Sequence, residues 1–499
     1  MKKIFSFCLF LVLAGVWIIS CTGNQAIKYS NKNVQEGYEL SQTYCKGCHQ
    51  LPDPALLNKA TWVNYVLPKM SEFLGFRSLG FNHYVENGKP SLLKLEQWNN
   101  IIQYYTTQAP EEPVKGEPKN IHMELKQFSV QLPFFSADHP GTTMVNAASS
   151  TNGFYFGDGL ANQVYFIAGN NTRVDSFVVG KGISNLRITD TTFLALSMGV
   201  LQPSDSREGK LTSINRENKK QFVLLDSLQR PVHATYADLN NDKLQDIIVC
   251  EFGNTTGQLA WYQNNDNNKY IKHTLRPLPG AIHTEVYDFN KDGKPDIMAL
   301  MAQADEGIFI YYNQGNNVFK EERVLQLPPS YGSNYFELAD FNNDGYPDII
   351  ATNGDNGDYP PILKAYHGIR IYLNDGRNNF SEKLFLHVNG IGKAIAKDFD
   401  GDGDLDIASI AFFADYKNSP EEGFIYWENK GNLKFEPSTF KAVNAGRWLT
   451  MDAGDIDGDG DTDIILGNAI FFMSALPTSL KNKLEVKSPS VLILRNTLR

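Results

Sequence analysis

Asp398-Phe399-Asp400-Gly401-Asp402-Gly403-Asp404-Leu405-Asp406-Ile407-Ala408-Ser409-Ile410 is the stretch whose reading decides the fold. Carboxylates at positions 1, 3 and 5 (Asp398, Asp400, Asp402) converge on one side of a tight loop. Gly at position 6 permits the sharp turn, position 7 offers a carbonyl, and Asp406 at position 9 closes the shell. These are hard oxygen ligands of the kind Ca²⁺ takes. An EF-hand needs a helix on each side and a Glu at position 12, whereas here an apolar run reads as a β-strand. Four more segments repeat the pattern: Asp238, Asn240, Asp242 and Asp246; Asp288, Asn290, Asp292 and Asp296; Asp340, Asn342, Asp344 and Asp348; Asp455, Asp457, Asp459 and Asp463. Successive loops start 50, 52, 58 and 57 residues apart. The alternative for any one loop is a polar turn held by Asx hydrogen bonds without metal. It applies best to the first, where Lys243 replaces Gly.

Each repeat also carries a later strand pair, as in Ile310-Tyr311-Tyr312-Asn313 with Phe319, Ile371-Tyr372-Leu373-Asn374 with Phe380, and Ile425-Tyr426-Trp427-Glu428-Asn429 with Phe435. Four short strands in a repeat of this length make a propeller blade. Residues 141–182 and 183–230 have four strand-like runs each and no acidic loop. With the five loop-bearing repeats they predict seven blades. The chain ends at Leu492-Ile493-Leu494-Arg495, one strand short of a blade, and Met123 to Leu132 is expected to supply it. Closing the ring this way removes exposed sheet edges. Residues 121–499 resemble the FG-GAP/VCBS repeat family, which implies a calcium-binding all-β propeller with up to five Ca²⁺.

Ahead of the repeats stands Cys45-Lys46-Gly47-Cys48-His49. CxxCH is the attachment pattern of a c-type haem: two thiols on one turn each form a thioether to a haem vinyl group, and the His is placed to ligate iron. The competing reading, a CxxC redox or zinc pair with an incidental His, wants a βαβ context or further nearby ligands, and the segment has neither. Asn33 to Tyr44 reads as an amphipathic helix, Pro52 and Pro54 stop it, and further helices are expected from Thr61 to Val66 and from Ser91 to Tyr105. Residues 33–108 resemble the class I cytochrome c family, a small all-α domain holding one covalent haem c. The resemblance implies that the first and last helices cross beside the haem, and that Pro52 offers its carbonyl to the haem His. It also implies that Met70, the only Met of the segment and 22 residues beyond Cys48, is the distal iron ligand opposite His49. His83 is the alternative. Pro68 is expected to end the preceding helix so that the chain can pass over the haem.

Lys2 and Lys3 precede an apolar run from Ile4 to Ile19, too short for a comfortable membrane span of about 20 residues. Residues 1–20 therefore read as a signal peptide. Ile18-Ile19-Ser20-Cys21 resembles a bacterial lipobox, which implies lipidation at Cys21, a membrane anchor and a place in the periplasm or cell envelope. An ordinary signal peptide with a chance Cys is the alternative. Thr22 in place of Asp points to the outer membrane. Residues 21–32 read as a tether, and the Pro- and Glu-rich segment 109–120 as a short, stiff linker. Cys250, in an apolar run, reads as a buried free thiol. A net charge of −10 argues against nucleic acid as a partner.

Residues about five before each loop, and a few after it, are expected to meet at the opposite rim of the ring. They give a candidate pocket of His233, Glu251, His283, Gln303, Asp355, Lys393, Asp415 and Arg447. A water-filled polar channel mouth accounts for the same residues. Three functions stay open on the sequence. One is an electron-transfer cytochrome with a redox partner protein, whose propeller docks that partner or a glycan or small sugar. The second is a periplasmic oxidoreductase or a sugar lyase or dehydratase acting in the propeller pocket. No GxGxxG fingerprint supports a nicotinamide or flavin enzyme, while spacing leaves a pyrroloquinoline quinone site open. The third is a surface adhesion module.

Overall fold

The computed structural model describes residues 27–498 except 81, 118, 134, 148–151, 172–173, 266–268, 304, 358–361, 472, 474–475 and 487. The signal peptide, the lipobox and Cys21 lie outside the described residues, as does the first part of the tether.

Helix α1 (Lys32–Tyr44) starts at Asn31, whose side chain accepts from the backbone N–H groups of Asn33 and Val34. It crosses α4 (Leu95–Gln108), the last helix of the segment. The crossing is close because Gly37 sits at it: a Cβ there would lie 2.0 Å from the carbonyl oxygen of Asn100. Between these helices run α2 (Lys59–Thr61), a π turn (Trp62–Val66) and α3 (Leu67–Phe73) in direct succession. Here the expectation fails, because the helix does not stop at Pro68. The proline ring crowds the preceding turn, and the wider π turn just before it absorbs the clash. The last helix begins at Leu95 rather than Ser91. Residues 91–93 instead pass along Gly75, and the Leu92 N–H donates to the carbonyl of Leu74 at 3.3 Å. A small hairpin, β1 (Phe76–Gly80) and β2 (His83–Glu86), completes this unit. Trp62, Trp98, Phe76, Ile101 and Tyr105 form its core.

The linker is tied down along its length. Its Pro110 carbonyl accepts from the Lys59 N–H, and Lys119 pairs with the buried Glu422. His122 bridges to Ser438. On the propeller side, Ile362 packs against the helical core.

Seven antiparallel four-stranded sheets follow. Blade 1 runs from the strand Thr142–Asn146 to Val174–Val178, blade 2 from Ile183–Ile188 to Gln221–Leu228 and blade 3 from Pro231–Ala237 to Tyr270–Arg276. Blade 4 runs from Ala281–Tyr287 to Phe319–Gln326, blade 5 from Ser333–Ala339 to Phe380–His387 and blade 6 from Ile391–Lys397 to Phe435–Ser438. Blade 7 takes Trp448–Gly454, Asp463–Asn468 and Val491–Asn496 from the C-terminus and β3 (Phe128–Gln131) from the N-terminal side, in the register Phe128↔Asn496 to Gln131↔Ile493. The closing strand thus falls inside the expected Met123 to Leu132. α5 (Thr478–Val486) is inserted in blade 7. Every residue of a second strand such as Asp296–Met301 is buried, because each blade is covered on both faces by its neighbours. This is why these strands read as continuous apolar runs. Met298, Leu300, Ile308 and Ile310 of blade 4 meet Phe336, Ile349 and Ala351 of blade 5 in one such layer.

Candidate functional site

The five acidic loops join the first and second strands of blades 3–7. In blade 4, Asp288 accepts the N–H groups of Asp292 at 3.0 Å and Gly293 at 2.8 Å, and Asn290 accepts that of Asp292 at 3.0 Å. These Asx bonds fold the loop and turn its oxygens to one side. Position 6 takes positive φ in all five loops, including Lys243 at 69°. The first loop therefore closes as the others do, at the small cost a non-glycine pays in this region.

Asp at position 9 has a duty the sequence reading missed. It is fully buried, and its two oxygens each accept a backbone N–H. Asp296 takes those of Phe289 at 3.0 Å and Asn313 at 2.7 Å, and Asp348 takes those of Phe341 at 2.9 Å and Asn374 at 2.8 Å. Asp246, Asp406 and Asp463 repeat the pair of bonds. In blades 4 and 7 the Asn that closes the third strand then ties blade to blade. Asn313 donates to the Leu239 carbonyl in the previous loop at 2.7 Å, and Asn496 to that of Phe399 at 2.8 Å. The recurring Asn313, Asn374 and Asn429 were visible in the sequence as strand ends only.

Among the described residues, two carboxylate sets draw within 4.8 Å: Asp398, Asp400 and Asp402 in blade 6, and Asp455, Asp457 and Asp463 in blade 7. Burial pushes Asp406 and Asp463 up to about 6, so a full complement of ionised carboxylates is costly without a counter-charge. In blade 7 that charge is Arg495, whose guanidinium lies 3.0 Å from Asp457 and 2.9 Å from Asp463.

The eight candidate pocket residues do not form one site. His233, His283 and Lys393 do come together with Tyr335, on the inner strands that wall the central channel. The rings of His233 and His283 lie 4.0 Å apart, those of His283 and Tyr335 4.7 Å apart, and Lys393 Nζ stands 4.8 Å over Tyr335. His283 Nε2 is 3.1 Å from Glu285, and the Tyr335 hydroxyl donates to Glu337 at 3.0 Å. Burial holds both imidazoles neutral, with His283 down to about 3, and pushes Glu337 up to about 7. The other five serve their own surroundings. Glu251 accepts from Gln229 N–H and the Tyr262 hydroxyl, Gln303 donates to Asn254, Asp355 accepts from Gly357 N–H and Asp415 caps Asn418. Arg447 is buried over the Phe412 ring at 3.6 Å and donates to the Phe412 carbonyl. The rim expectation fails because positions five before a loop sit in mid-strand, where side chains reach the neighbouring inner strand. Lys393, for example, donates to Met451 at 3.0 Å.

In the helical unit, Cys45 caps α1 by donating its N–H to Ser41, and Cys48 follows one turn later, its N–H 3.4 Å from the Cys45 carbonyl. Both thiols are free, and burial pushes Cys45 up to about 11. His49 Nδ1 lies 2.8 Å from the Gln50 carbonyl. The Pro52 carbonyl does not serve it; it accepts from the Tyr105 hydroxyl at 3.4 Å, which enters from α4. Met70 rides on α3, half-buried against the helical core. His83 is exposed on β2, and Trp98 Nε1 is buried with no hydrogen-bond partner among the described residues.

Comparison with known proteins bears on the propeller. The model of the FG-GAP-like repeat family matches residues 238–299, 288–351 and 398–466, which together contain all five loops. A T-cell immunomodulatory protein homolog of Plasmodium yoelii yoelii is 27% identical over 176 residues, 31% of this chain and 24% of that one. Integrin alpha-PS5 of Drosophila melanogaster is 31% identical over 138 residues, 24% of this chain and 14% of that one. The chain thus spans a quarter or less of the curated relatives it matches. A chain of a solved S. cerevisiae assembly of dbp5, nup159 and gle1 aligns at a TM-score of 0.42 and 8% identity, covering 77% of this chain and 98% of that one. Stretches of blades 3–7 are thus similar to FG-GAP-like repeats, and they are set in a closed seven-bladed β-propeller.

Proposed function

We propose that this chain is an exported, membrane-anchored monohaem c-type cytochrome that transfers electrons to or from a partner protein, and that its propeller is a calcium-stabilised docking module. The observation that carries the haem reading is the Cys45–Cys48–His49 turn. Two free thiols stand one turn apart at the end of a helix that crosses the last helix, and the imidazole has Nδ1 engaged, which leaves Nε2 for iron. The indole N–H of Trp98, without an acceptor among the described residues, also suits one supplied by a bound group. Cys45 and Cys48 would hold haem c by thioethers, with His49 and Met70 as the iron ligands. The haem, when bound, supplies one-electron chemistry at a potential raised by a thioether ligand. The chain's own part is to exclude water and fix the ligands: Trp62 and Tyr105 pack at 4.3 Å in the core, and α3 holds Met70 in place.

The loops of blades 3–6 offer the side-chain oxygens calcium takes and would bind it at positions 1, 3 and 5, with the position 9 carboxylate behind them. The lipid anchor at Cys21 and the outer membrane complete the reading. A surface adhesion module is the second reading, favoured by the stretch shared with an integrin alpha chain. An enzyme in the propeller has less support, since its candidate residues are dispersed. Expression with haem-maturation machinery tests the first reading. Haem must remain with the denatured protein through acid–acetone extraction and be lost in Cys48→Ser; complete release from the wild type rejects it.

A further inference from the structure

We infer that Arg495 is the resident cation of the blade 7 loop, so that the seam of the ring closes without calcium while the loops of blades 3–6 take it. The inference rests on the calcium reading of those other loops. Arg495 stands one residue before the Asn that ends the third strand of blade 7. Blades 3–6 carry Gln263, Tyr312, Leu373 and Glu428 there, none of them cationic. Its side chain is 8% exposed, and Nη1 lies 3.0 Å from Asp457 and 2.9 Å from Asp463. These are positions 3 and 9 of the loop.

The two acidic sets differ accordingly. In blade 6 the carboxylates at 1, 3 and 5 gather, as they would around an ion held in the loop. In blade 7 those at 1, 3 and 9 gather, two of which, Asp457 and Asp463, pair with the guanidinium, and Asp459 at position 5 stands outside the set. A planar guanidinium bridging two carboxylates is a strong, geometrically fixed arrangement. A divalent ion in the same place would share both carboxylates with a buried like charge.

The location gives the substitution a purpose. Blade 7 is built from both ends of the propeller chain, with Arg495 paired across to Ser129 of β3. Arg495 Nη2 also donates to the Gly169 carbonyl of blade 1 at 2.7 Å. Gly169 lies against the loop itself, where a Cβ would meet the Ile456 carbonyl at 2.4 Å. One side chain on the strand that pairs with β3 therefore joins the blade 7 loop to the first blade. A cation attached to the chain cannot be removed by a fall in free calcium.

The test counts calcium bound per full-length chain by equilibrium dialysis and atomic emission. Asp402→Asn is expected to lose one ion, Asp459→Asn none, and Arg495→Gln to gain one. Hydrogen exchange supplies a second readout. Amides of 491–496 are expected to stay protected in chelator in the wild type, and to need calcium for protection in Arg495→Gln. Loss of one ion in Asp459→Asn, matching Asp402→Asn, overturns the inference whether or not the Arg495 variant folds. A wild type that binds no calcium at all rejects the calcium reading of blades 3–6 and this inference with it.

Discussion

Asp296→Ala removes one buried carboxylate and two backbone hydrogen bonds at once. Asp296 accepts the N–H groups of Phe289 and Asn313, and Ala leaves both without a partner. Hydrogen bonds to a charged group contribute about 1.5–3 kcal/mol each, so the pair amounts to about 3–6 kcal/mol. The second effect is mechanical, because Asn313 is also the residue that donates to Leu239 in blade 3. For a propeller of about 370 residues, from Phe128 to Asn496, the melting entropy is about 0.8 kcal/mol/K. The expected fall in Tm is therefore about 4–8 °C. Asp292, exposed at position 5 of the same loop, gives the control. In chelator, Asp292→Ala is expected to change Tm by about 1 °C or less. Asp296→Asn keeps one acceptor and should fall between the two. Scanning calorimetry of the full chain, with chelator in every sample, measures all three. Equal shifts for Asp296→Ala and Asp292→Ala would refute the claim that position 9 holds the blade together independently of metal.

Burial raises the Glu337 carboxyl from its ordinary 4.5 to about 7, so the fold favours its neutral form. That contribution is complete below about pH 4.5 and is lost by the time pH has risen through 7, so wild-type Tm should fall between about pH 4.5 and 7 and level off above. Glu337→Gln should flatten the fall; an unchanged slope would assign it elsewhere, with Glu306, raised to about 8, as the next group. Met70→Ala in the haem-loaded protein should abolish the weak long-wavelength ferric band, lower the reduction potential and open the iron to carbon monoxide. Met123→Ala should do none of these, and a wild-type spectrum in the Met70 variant would point to His83.

The propeller was legible because its signal is repeated and local. Asp and Gly at fixed offsets, then an apolar run, define a loop and the strand behind it. Five copies at nearly constant spacing leave little freedom for the remaining strands. The closing strand could be placed because a ring short of one strand must find it at the other terminus. What the sequence hid depends on where side chains point once the strands twist and pack. Position 9 looks like a fifth ligand in sequence, and only the burial of Asp296 and its partners shows it joining loop, strand and blade. Arg495 looks like one more basic residue near the C-terminus, although it reaches into an acidic loop and to blade 1. The pocket failed for a related reason: chemistry-bearing residues at matching positions of successive blades need not face a common space. His233, His283 and Tyr335 line the channel wall as tilted ring contacts between blades. In the helical unit, Pro68 promised a helix end, yet a π turn absorbs a proline without one.

These contacts bear on how the two parts of the chain work together. A free linker would let the helical unit sample many orientations over the propeller. This linker is held at three places: Pro110 on Lys59, Lys119 on the buried Glu422, and His122 beside Ser438. Lys119 also lies 3.2 Å from His387, and Gly116 rests against the ring of that histidine, where a Cβ would come within 2.1 Å. Breaking a buried ion pair by removing one partner costs roughly 3–5 kcal/mol, more than thermal motion supplies. The helical unit is therefore presented to one side of blades 5 and 6, with Ile362 of blade 5 completing the contact. In the electron-transfer reading, a partner docked on that side meets the haem-attachment turn in one fixed geometry. Electron-transfer rate should then depend on Lys119 and Glu422, although neither residue is among those that would hold the haem.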